Sequence, residues 1–348
     1  MKKVIQIVWL LVPFITFSQG YFTNTRKSAD RPLTEQRNTS NPSVHVFNNS
    51  LYIFCSQDVE GGLSPNRFGD QFAMRDYWLY RLDSINGPLT EIGQVLDIRQ
   101  IPWAGRQLWA QDVTYHKGRY YLYFTLKDKN DVFRIGVATS DSISGPYKPE
   151  KNPISFAYST DPRVFRDEDG SFYLLFGGIK NGQLHQWENN VFRPNAEERT
   201  GDQYALLPRI ARLSADMKQL TEKVRELKIV DNTGELMDEK ENKKRFGESA
   251  SLHKFNGKYY LTYSTGETRM IVYAIGNSPY GPFTYRGILK GPIEGTISHH
   301  SIVNFKGSWY LFYHDSRISG LPHLRHLYVT PITHLPSGEM SILTNTSH

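Results

Sequence analysis

The sequence contains one cysteine, and this scarcity excludes several kinds of site. Cys55 can form neither an internal disulfide nor a cysteine-based metal cluster, and its setting in LYIFCS predicts a small buried apolar side chain. No G-x-G-x-x-G or H-E-x-x-H motif occurs either. The sequence therefore offers no support for a nucleotide, haem or zinc site.

Concentrated positive charge is also missing. The formal net charge of +6 is spread along the chain, and KKR at 243–245 is its one cluster. Proteins that bind nucleic acid usually carry a continuous basic patch or stripe. We therefore expect no nucleic-acid partner.

An apolar run at the start of the chain, Val4–Phe17, is too short for a stable membrane-spanning helix. Two lysines precede it and small and polar residues follow it, which is the pattern of a cleaved secretory signal. We expect residues 1–19 to be a signal peptide. The mature protein should then be soluble, without a membrane span, and exported to the periplasm or the medium.

No alternation of strands with long amphipathic helices is found. Instead, 13% of residues are aromatic, and the chain has 27 glycines and 18 prolines, which favours a turn-rich all-β protein. One phrase, a tight turn followed by alternating aromatic and aliphatic residues, occurs five times. Its copies are NNSLYIFCS, KGRYYLYFT, DGSFYLLFG, NGKYYLTYS and KGSWYLFYH, with the second aromatic at Tyr52, Tyr121, Tyr173, Tyr260 and Tyr310.

A second hairpin-like phrase follows most copies, as in FRIGVATSDSISGPYKP and MIVYAIGNSPYGPFTYRG. Each unit therefore holds about four strands, and four-stranded units repeated at about 50 residues indicate propeller blades. Two β-sandwich domains are the alternative, but no linker divides the chain. We predict an exposed lead-in at residues 20–40 and one five-bladed β-propeller domain at 41–348.

Polar residues stand about ten positions before each aromatic anchor, where the innermost strand of each blade begins. They are Asn41, Asp112, Asp161, Glu248 and the pair His299 and His300. In a propeller these positions converge at one end of the axis. A crowded pair of carboxyl groups is suited to glycoside hydrolysis, in which one carboxyl stays protonated and donates.

Tryptophans are expected to assist because sugar rings stack on aromatic faces. We select Trp78 and Trp109 as candidate sugar-binding residues, and Trp103 is a further candidate. The predicted partner is an oligosaccharide or polysaccharide. The sequence does not predict the oligomeric state.

Several segments, in order, resemble glycoside hydrolase family 43, the five-bladed-propeller arabinofuranosidases and β-xylosidases. They include NPSVHVFNNSLYIF, WAQDVTYHKGRYYLYFTLKDKND, TDPRVFRDEDGSFYLLFGG, FGESASLHKFNGKYYLTYSTGET and HHSIVNFKGSWYLFYHD. The resemblance spans about residues 40–333. It implies an inverting mechanism in which Glu248 is the general acid and Asp161 tunes and orients it.

Three further roles follow from the resemblance alone. Asp112 matches a position that supports the floor of the active site, and Arg325 matches a basic residue that reaches the sugar. In many members a histidine matching the HHSI segment binds a structural Ca²⁺ on the propeller axis, directly or through water, and we select His299 rather than His300 as that histidine. No organic cofactor is expected.

The chain departs from the family at the first blade. Where the family has an aspartate that acts as general base, this chain has Asn41. An amide does not take up a proton at neutral pH. Loss of a general base lowers a rate by about 10²- to 10⁴-fold.

Three interpretations of Asn41 follow. In the first, the protein is an exo-glycosidase in which Asp58, Asp76 or the substrate itself replaces the base. In the second, it is a catalytically weak or inactive carbohydrate-binding protein, although retention of Glu248 and Asp161 argues against this. In the third, the propeller is an interaction platform or performs another reaction on a sugar. We favour an exported inverting exo-glycosidase that removes terminal α-L-arabinofuranose or β-D-xylose, with Asn41 positioning water or substrate.

Overall fold

The computed structural model describes residues 32–34, 36–297 and 299–343. The predicted signal peptide lies outside these residues. Within them the chain forms 24 β-strands and two short 3₁₀ helices, Ile98–Gln100 and Leu184–Gln186. None of the helices in the described residues is long and apolar enough to cross a membrane.

The strands form five successive blades. Blade 1 comprises β1 (Thr39–Phe47), β2 (Ser50–Gln57), β3 (Asp76–Leu82) and β4 (Thr90–Asp97). Blade 2 comprises β5 (Ala104–Arg106), β6 (Gln111–His116), β7 (Arg119–Asp128), β8 (Phe133–Ser140) and β9 (Lys148–Pro149). Blade 3 comprises β10 (Arg163–Arg166) and β11 (Phe172–Phe176), then an inserted hairpin of β12 (Trp187–Glu188) and β13 (Val191–Phe192), then β14 (Arg209–Arg212) and β15 (Arg225–Glu226).

Blade 4 adds a parallel outer strand to the usual four. It comprises β16 (Ile229–Val230), β17 (Glu248–Phe255), β18 (Lys258–Ser264), β19 (Ile271–Gly276) and β20 (Phe283–Lys290). Blade 5 comprises β21 (His300–Phe305), β22 (Ser308–Asp315), β23 (His326–His334) and β24 (Met340–Ile342). The predicted all-β, five-bladed propeller is confirmed.

The repeated phrase forms the first hairpin of each blade. In blades 1, 2, 4 and 5 both turn residues have positive φ, for example Asn256 at 47° with Gly257 at 73°, and Lys306 at 53° with Gly307 at 84°, whereas in blade 3 only Gly170 does. Two successive positive φ values give the type I′ turn that matches the twist of the flanking strands. The turn therefore fixes the register of each innermost strand.

The innermost strands β1, β6, β10, β17 and β21 contact one another in a closed ring. The hydrophobic clusters lie between neighbouring blades. One, for example, joins Val44 and Ile53 of blade 1 to Phe305 and Phe312 of blade 5. Blades thus pack face to face, and the polar starts of the inner strands are left around the axis.

The lead-in takes part in closing this ring. Leu33 N–H donates to Leu327 O at 2.6 Å, and Thr39 N–H donates to Arg325 O at 2.7 Å. Thr39 and Ser40 are fully buried and belong to β1. The lead-in predicted to be exposed up to residue 40 is therefore partly buried at its end, because its backbone pairs with blade 5.

Candidate active site

Backbone irregularities mark the starts of two innermost strands. The register shifts between Ser40 and Ser43 in β1 and between Glu248 and Ser251 in β17. Asn41 has φ 54° and Asp161, just before β10, has φ 60°. This left-handed region is tolerated better by Asn and Asp than by most side chains. Such bulges re-aim side chains, here toward the axis.

The cavity that results has a volume of about 480 Å³ and opens at one end of the axis. It is lined by three of the predicted positions, Asn41, Asp161 and Glu248, together with Trp109 and Arg325. Among the described residues that line it, Asp161 and Glu248 are the only carboxylates. A larger groove of about 630 Å³ lies between blades 4 and 5, but it contains neither member of this pair.

The two carboxyl groups both have raised pKa values, and their causes differ. Burial and the nearby Asp161 carboxylate raise the pKa of Glu248 well above its ordinary value. Burial raises the pKa of Asp161 to about 6, against the opposing effect of hydrogen bonds from Ser249. Ser249 donates to Asp161 Oδ2 through its N–H at 3.0 Å and its Oγ at 3.2 Å. The pair thus favours a proton on Glu248 and a negative charge on Asp161, whose contacts with Ser249 also hold the backbone next to Glu248.

Asn41 is held firmly by its neighbours. Its N–H donates to His314 Nδ1 at 2.9 Å, its C=O accepts from Gln111 Nε2 at 3.0 Å, and its Nδ2 donates to Ser56 Oγ at 3.1 Å. With Nδ2 committed to Ser56, Oδ1 is the acceptor that the amide offers to a water in the cavity. The position thus offers a hydrogen-bond acceptor that cannot take up a proton at neutral pH.

His314 was not singled out from the sequence. Because its Nδ1 accepts the Asn41 N–H, its proton lies on Nε2, which is 3.2 Å from Ile297 O. Burial and the charge of Arg325 hold the pKa of His314 well below its usual range, in agreement with this neutral form. In the sequence His314 is the histidine of FYHD, at the end of β22. It stands one strand away from the starts of the innermost strands, which are the positions that we compared.

Asp58 does not reach the cavity as a free carboxylate. Its Oδ2 accepts a hydrogen bond from Arg325 Nε at 2.8 Å. Its Oδ1 accepts from Arg325 Nη2 at 2.7 Å and from Ser40 Oγ at 2.7 Å. Such a bidentate pair fixes both oxygens. The structure therefore places Asp58 as the residue that orients Arg325, which lines the cavity as predicted, and not as a substitute base.

Asp76 and Trp78 lie on β3, the third strand from the axis, and neither lines the cavity. Asp76 accepts a hydrogen bond from Gln94 at 2.6 Å, and the Arg37 guanidinium stacks 3.8 Å above the Trp78 ring. Their distance from the inner strand removes the argument for a role in sugar binding or base catalysis. Trp103 also packs elsewhere, stacked on Phe124 with centroids 5.8 Å apart.

Trp109 does form a wall of the cavity. Its Nε1 donates to Phe72 O at 2.9 Å, and its ring lies 4.7 Å from that of Phe133 and 5.9 Å from that of Phe72. These contacts fix the plane of the indole. A fixed aromatic face beside an acid pair suits an apolar sugar face.

Asp112 lies beneath the cavity and ties three blades together. Its Oδ1 contacts Ser43 Oγ at 2.5 Å and His45 Nε2 at 2.8 Å, and its Oδ2 accepts from Val164 N–H at 2.7 Å. Burial acts to raise the pKa of this carboxyl, but its contacts with His45 and Arg163 outweigh burial and lower the pKa to about 2. Asp112 is an ionised support of the inner ring and does not line the cavity.

The position expected for Ca²⁺ contains a cation of the protein itself. His299 Nδ1 lies 2.9 Å from Arg163 Nη2 on the axis. Among the described residues no group of three His, Cys, Asp or Glu side chains is arranged to hold a metal ion. Ca²⁺ requires several oxygen ligands and has no place beside a guanidinium. The residues therefore do not fit the expected calcium site.

Comparison with known proteins agrees with this geometry. Residues 29–339 match the family model described as glycosyl hydrolases family 43. The chain belongs to glycosyl hydrolase family 43. The predicted resemblance and the assignment as a glycoside hydrolase are both confirmed.

Close family 43 relatives are known from bacteria and fungi. A xylosidase/arabinosidase of Bacteroides ovatus is 46% identical over 90% of this chain and 97% of its own length. A xylosidase/arabinosidase of Humicola insolens is 47% identical over 89% of this chain and 98% of its own length.

The fold similarity is equally close. The structure of a β-xylosidase/α-arabinofuranosidase from a compost microbial metagenome, described as a calcium-free complex with xylotriose, has a TM-score of 0.89. It is 48% identical and covers 93% of this chain and 99% of its own. A family 43 enzyme of Xanthomonas citri in complex with xylotriose has a TM-score of 0.86 and 42% identity, and covers 90% of this chain and 93% of its own.

Proposed function

We propose that this protein is an exported, inverting exo-glycosidase that releases terminal β-D-xylose or α-L-arabinofuranose from xylan-type oligosaccharides. The observation that carries the proposal is the pairing of a protonated Glu248 with an ionised Asp161 in a cavity that has a fixed tryptophan wall. The names of the relatives and the xylotriose bound in two of the related structures support the choice of sugars.

The carboxyl pair in the cavity supports the acid half of the proposed mechanism. Glu248 donates its proton to the glycosidic oxygen as the bond from that oxygen to the anomeric carbon breaks. Asp161 keeps Glu248 protonated between turnovers because its negative charge disfavours a second one nearby. Arg325, fixed by Asp58, lines the cavity in which the sugar would bind.

The part of the mechanism that activates the attacking water differs from the one that the family resemblance implies. Water attacks the anomeric carbon from the face opposite the leaving group, and Asn41 Oδ1 accepts one of its hydrogen bonds. The transition state resembles an oxocarbenium ion, so attack does not require a fully formed hydroxide. The water loses its proton to solvent after the bond forms, which makes hydrolysis slower by about 10²- to 10⁴-fold than with a carboxylate base.

The lining of the cavity also supports a second candidate, a carbohydrate-binding protein with little turnover. No carboxylate other than Asp161 and Glu248 lines the cavity among the described residues. However, two carboxyl groups placed close together in a buried site cost stability and are commonly found where catalysis needs them. This favours the glycosidase.

The test is hydrolysis of 4-nitrophenyl β-D-xylopyranoside, 4-nitrophenyl α-L-arabinofuranoside and xylotriose, with the product anomer followed by NMR. We expect slow turnover, with α-xylose as the first product from a β-xyloside. Glu248→Gln is the control, and it should lose far more activity on xylotriose than on the aryl glycosides, whose leaving groups need little protonation. Binding without turnover by the native protein would support the second candidate, and retention of configuration would refute the mechanism.

Export is proposed from the first twenty residues of the sequence alone. Expression of the full chain with its own N-terminus, followed by fractionation and N-terminal sequencing, tests it. We expect cleavage near residue 19 and recovery outside the cytoplasm. An intact N-terminus in the cytoplasmic fraction would contradict it.

A further inference from the structure

The guanidinium of Arg163 lies at the centre of the ring of inner strands. Arg163 is 3% exposed and belongs to β10 of blade 3. Its Nη2 donates to Pro42 O at 2.8 Å and to His300 O, and it lies 2.9 Å from His299 Nδ1. Its Nη1 lies 3.4 Å from Asp112 Oδ1. A single side chain thus joins blades 1, 2 and 5 to its own.

The groups around the guanidinium are those that would otherwise surround a cation. Two carbonyl oxygens, one carboxylate and one imidazole nitrogen point toward it. A buried positive charge requires such partners. Oxygen donors of this kind also serve hard divalent cations. The arrangement therefore resembles an axial cation site filled by the protein itself.

The position of Arg163 connects this charge to the active site. The Pro42 carbonyl that it binds belongs to the residue after Asn41, and Arg163 itself follows Asp161 by two positions. One guanidinium thereby fixes the backbone at two of the three cavity positions that the sequence predicts. A bound metal ion on the axis could fix the same backbone from the same place.

We propose that Arg163 is a built-in axial cation that takes the place of a divalent metal ion. The protein then neither binds nor requires Ca²⁺, in contrast with the expectation from its family. A calcium ion that approached Nδ1 of His299 would meet a guanidinium already in contact with that nitrogen, and charge repulsion would oppose its binding.

The first test uses the native protein and does not depend on turnover. Its calcium content is measured by elemental analysis, and its Tm is measured with excess EDTA, with CaCl₂, and with MgCl₂ as the control for ionic strength. We expect less than stoichiometric calcium and no specific shift of Tm. One bound calcium per chain, or a Tm that CaCl₂ raises and EDTA lowers, would overturn the proposal.

The second test removes the built-in charge. Arg163→Ala leaves Asp112, His299 and the two carbonyls around an emptied space, so its Tm should fall and should then rise specifically with CaCl₂. Arg163→Lys is the matched control, and because it keeps a positive charge it should not respond to calcium. A folded Arg163→Ala protein whose Tm does not respond to CaCl₂ would refute the idea of a filled cation position. If that variant does not fold, the native protein alone decides.

Discussion

Replacing Asn41 by aspartate introduces the type of group that the resemblance to the family implies as general base, and we expect a gain of function. Asn41 has φ 54°, a conformation that Asp adopts nearly as readily as Asn. The hydrogen bonds of its backbone to His314 and Gln111 do not involve the changed atoms. The Ser56 hydroxyl, which now accepts from Nδ2, can rotate to donate to the new carboxylate.

The new carboxylate is expected to be ionised at neutral pH. Asn41 Nδ2 and Arg325 Nη2 both contact Met74 Sδ, at 3.7 and 3.2 Å, so the guanidinium is close to position 41. Opposite charges about 7 Å apart, at an effective dielectric constant of about 20, attract by about 2 kcal/mol. Asp58, which is bound to the same guanidinium, repels the new carboxylate and reduces this attraction. This attraction offsets part of the cost of burial.

The expected gain is about 10²- to 10⁴-fold in kcat, or about 2.7–5.4 kcal/mol in the activation free energy. It is measured as kcat and KM on xylotriose and on an aryl xyloside, and the pH profile should acquire a new acidic limb from the added carboxylate. Asn48→Asp, an exposed change of equal charge in a turn of the same blade, is the matched control and should change nothing. Activity of Asn41→Asp at or below that of the native protein, with the fold intact, would show that position 41 does not serve the nucleophile.

Three further predictions follow from the same site. Azide needs no base, so it should increase turnover of an aryl xyloside by the native protein and yield the inverted glycosyl azide, detected by NMR; no azide adduct would contradict a nucleophile site limited by proton removal. Asp161→Asn removes the negative charge that raises the pKa of Glu248, so the alkaline limb of kcat/KM should move to lower pH, and an unmoved limb would refute the coupling. Asp58→Asn leaves the buried Arg325 without its partner and should lower the free energy of unfolding by about 3–5 kcal/mol in denaturant titration, whereas the exposed Asp83→Asn, whose partner is Arg81, should cost less than 1 kcal/mol.

The fold and the position of the active site could be predicted from the sequence, because the repeated units of a propeller stand in a ring around one axis. Equivalent positions in each repeat meet at the axis whatever the loops do, and Asn41, Asp161 and Glu248 do line one cavity. Trp78 was selected because sugar rings stack on aromatic faces, and Asp76 was selected because it belongs to the same blade as Asn41. That argument fails because each step from one strand to the next moves a residue outward from the axis.

Pairings between distant parts of the chain could not be predicted in this way. Asp58 and Arg325 are 267 residues apart, and nothing in either local sequence shows that they neutralise one another. The same holds for Arg163, which the strand pattern of TDPRVFRD would equally allow to point outward. The direction of a side chain at the start of a strand depends on local backbone irregularities, and periodicity does not report them.

The combination of an intact acid and an altered base has a chemical consequence. In an inverting glycosidase the acid determines which leaving groups depart, and the base determines which nucleophiles attack. In the proposed mechanism Glu248 and Asp161 supply the first capacity, and the firmly held amide of Asn41 limits the second to nucleophiles that need no deprotonation. The ratio of the azide rate to the water rate therefore measures how much of the catalytic deficit lies at position 41. If that ratio falls to the level of an ordinary family member in Asn41→Asp, one side chain accounts for the difference.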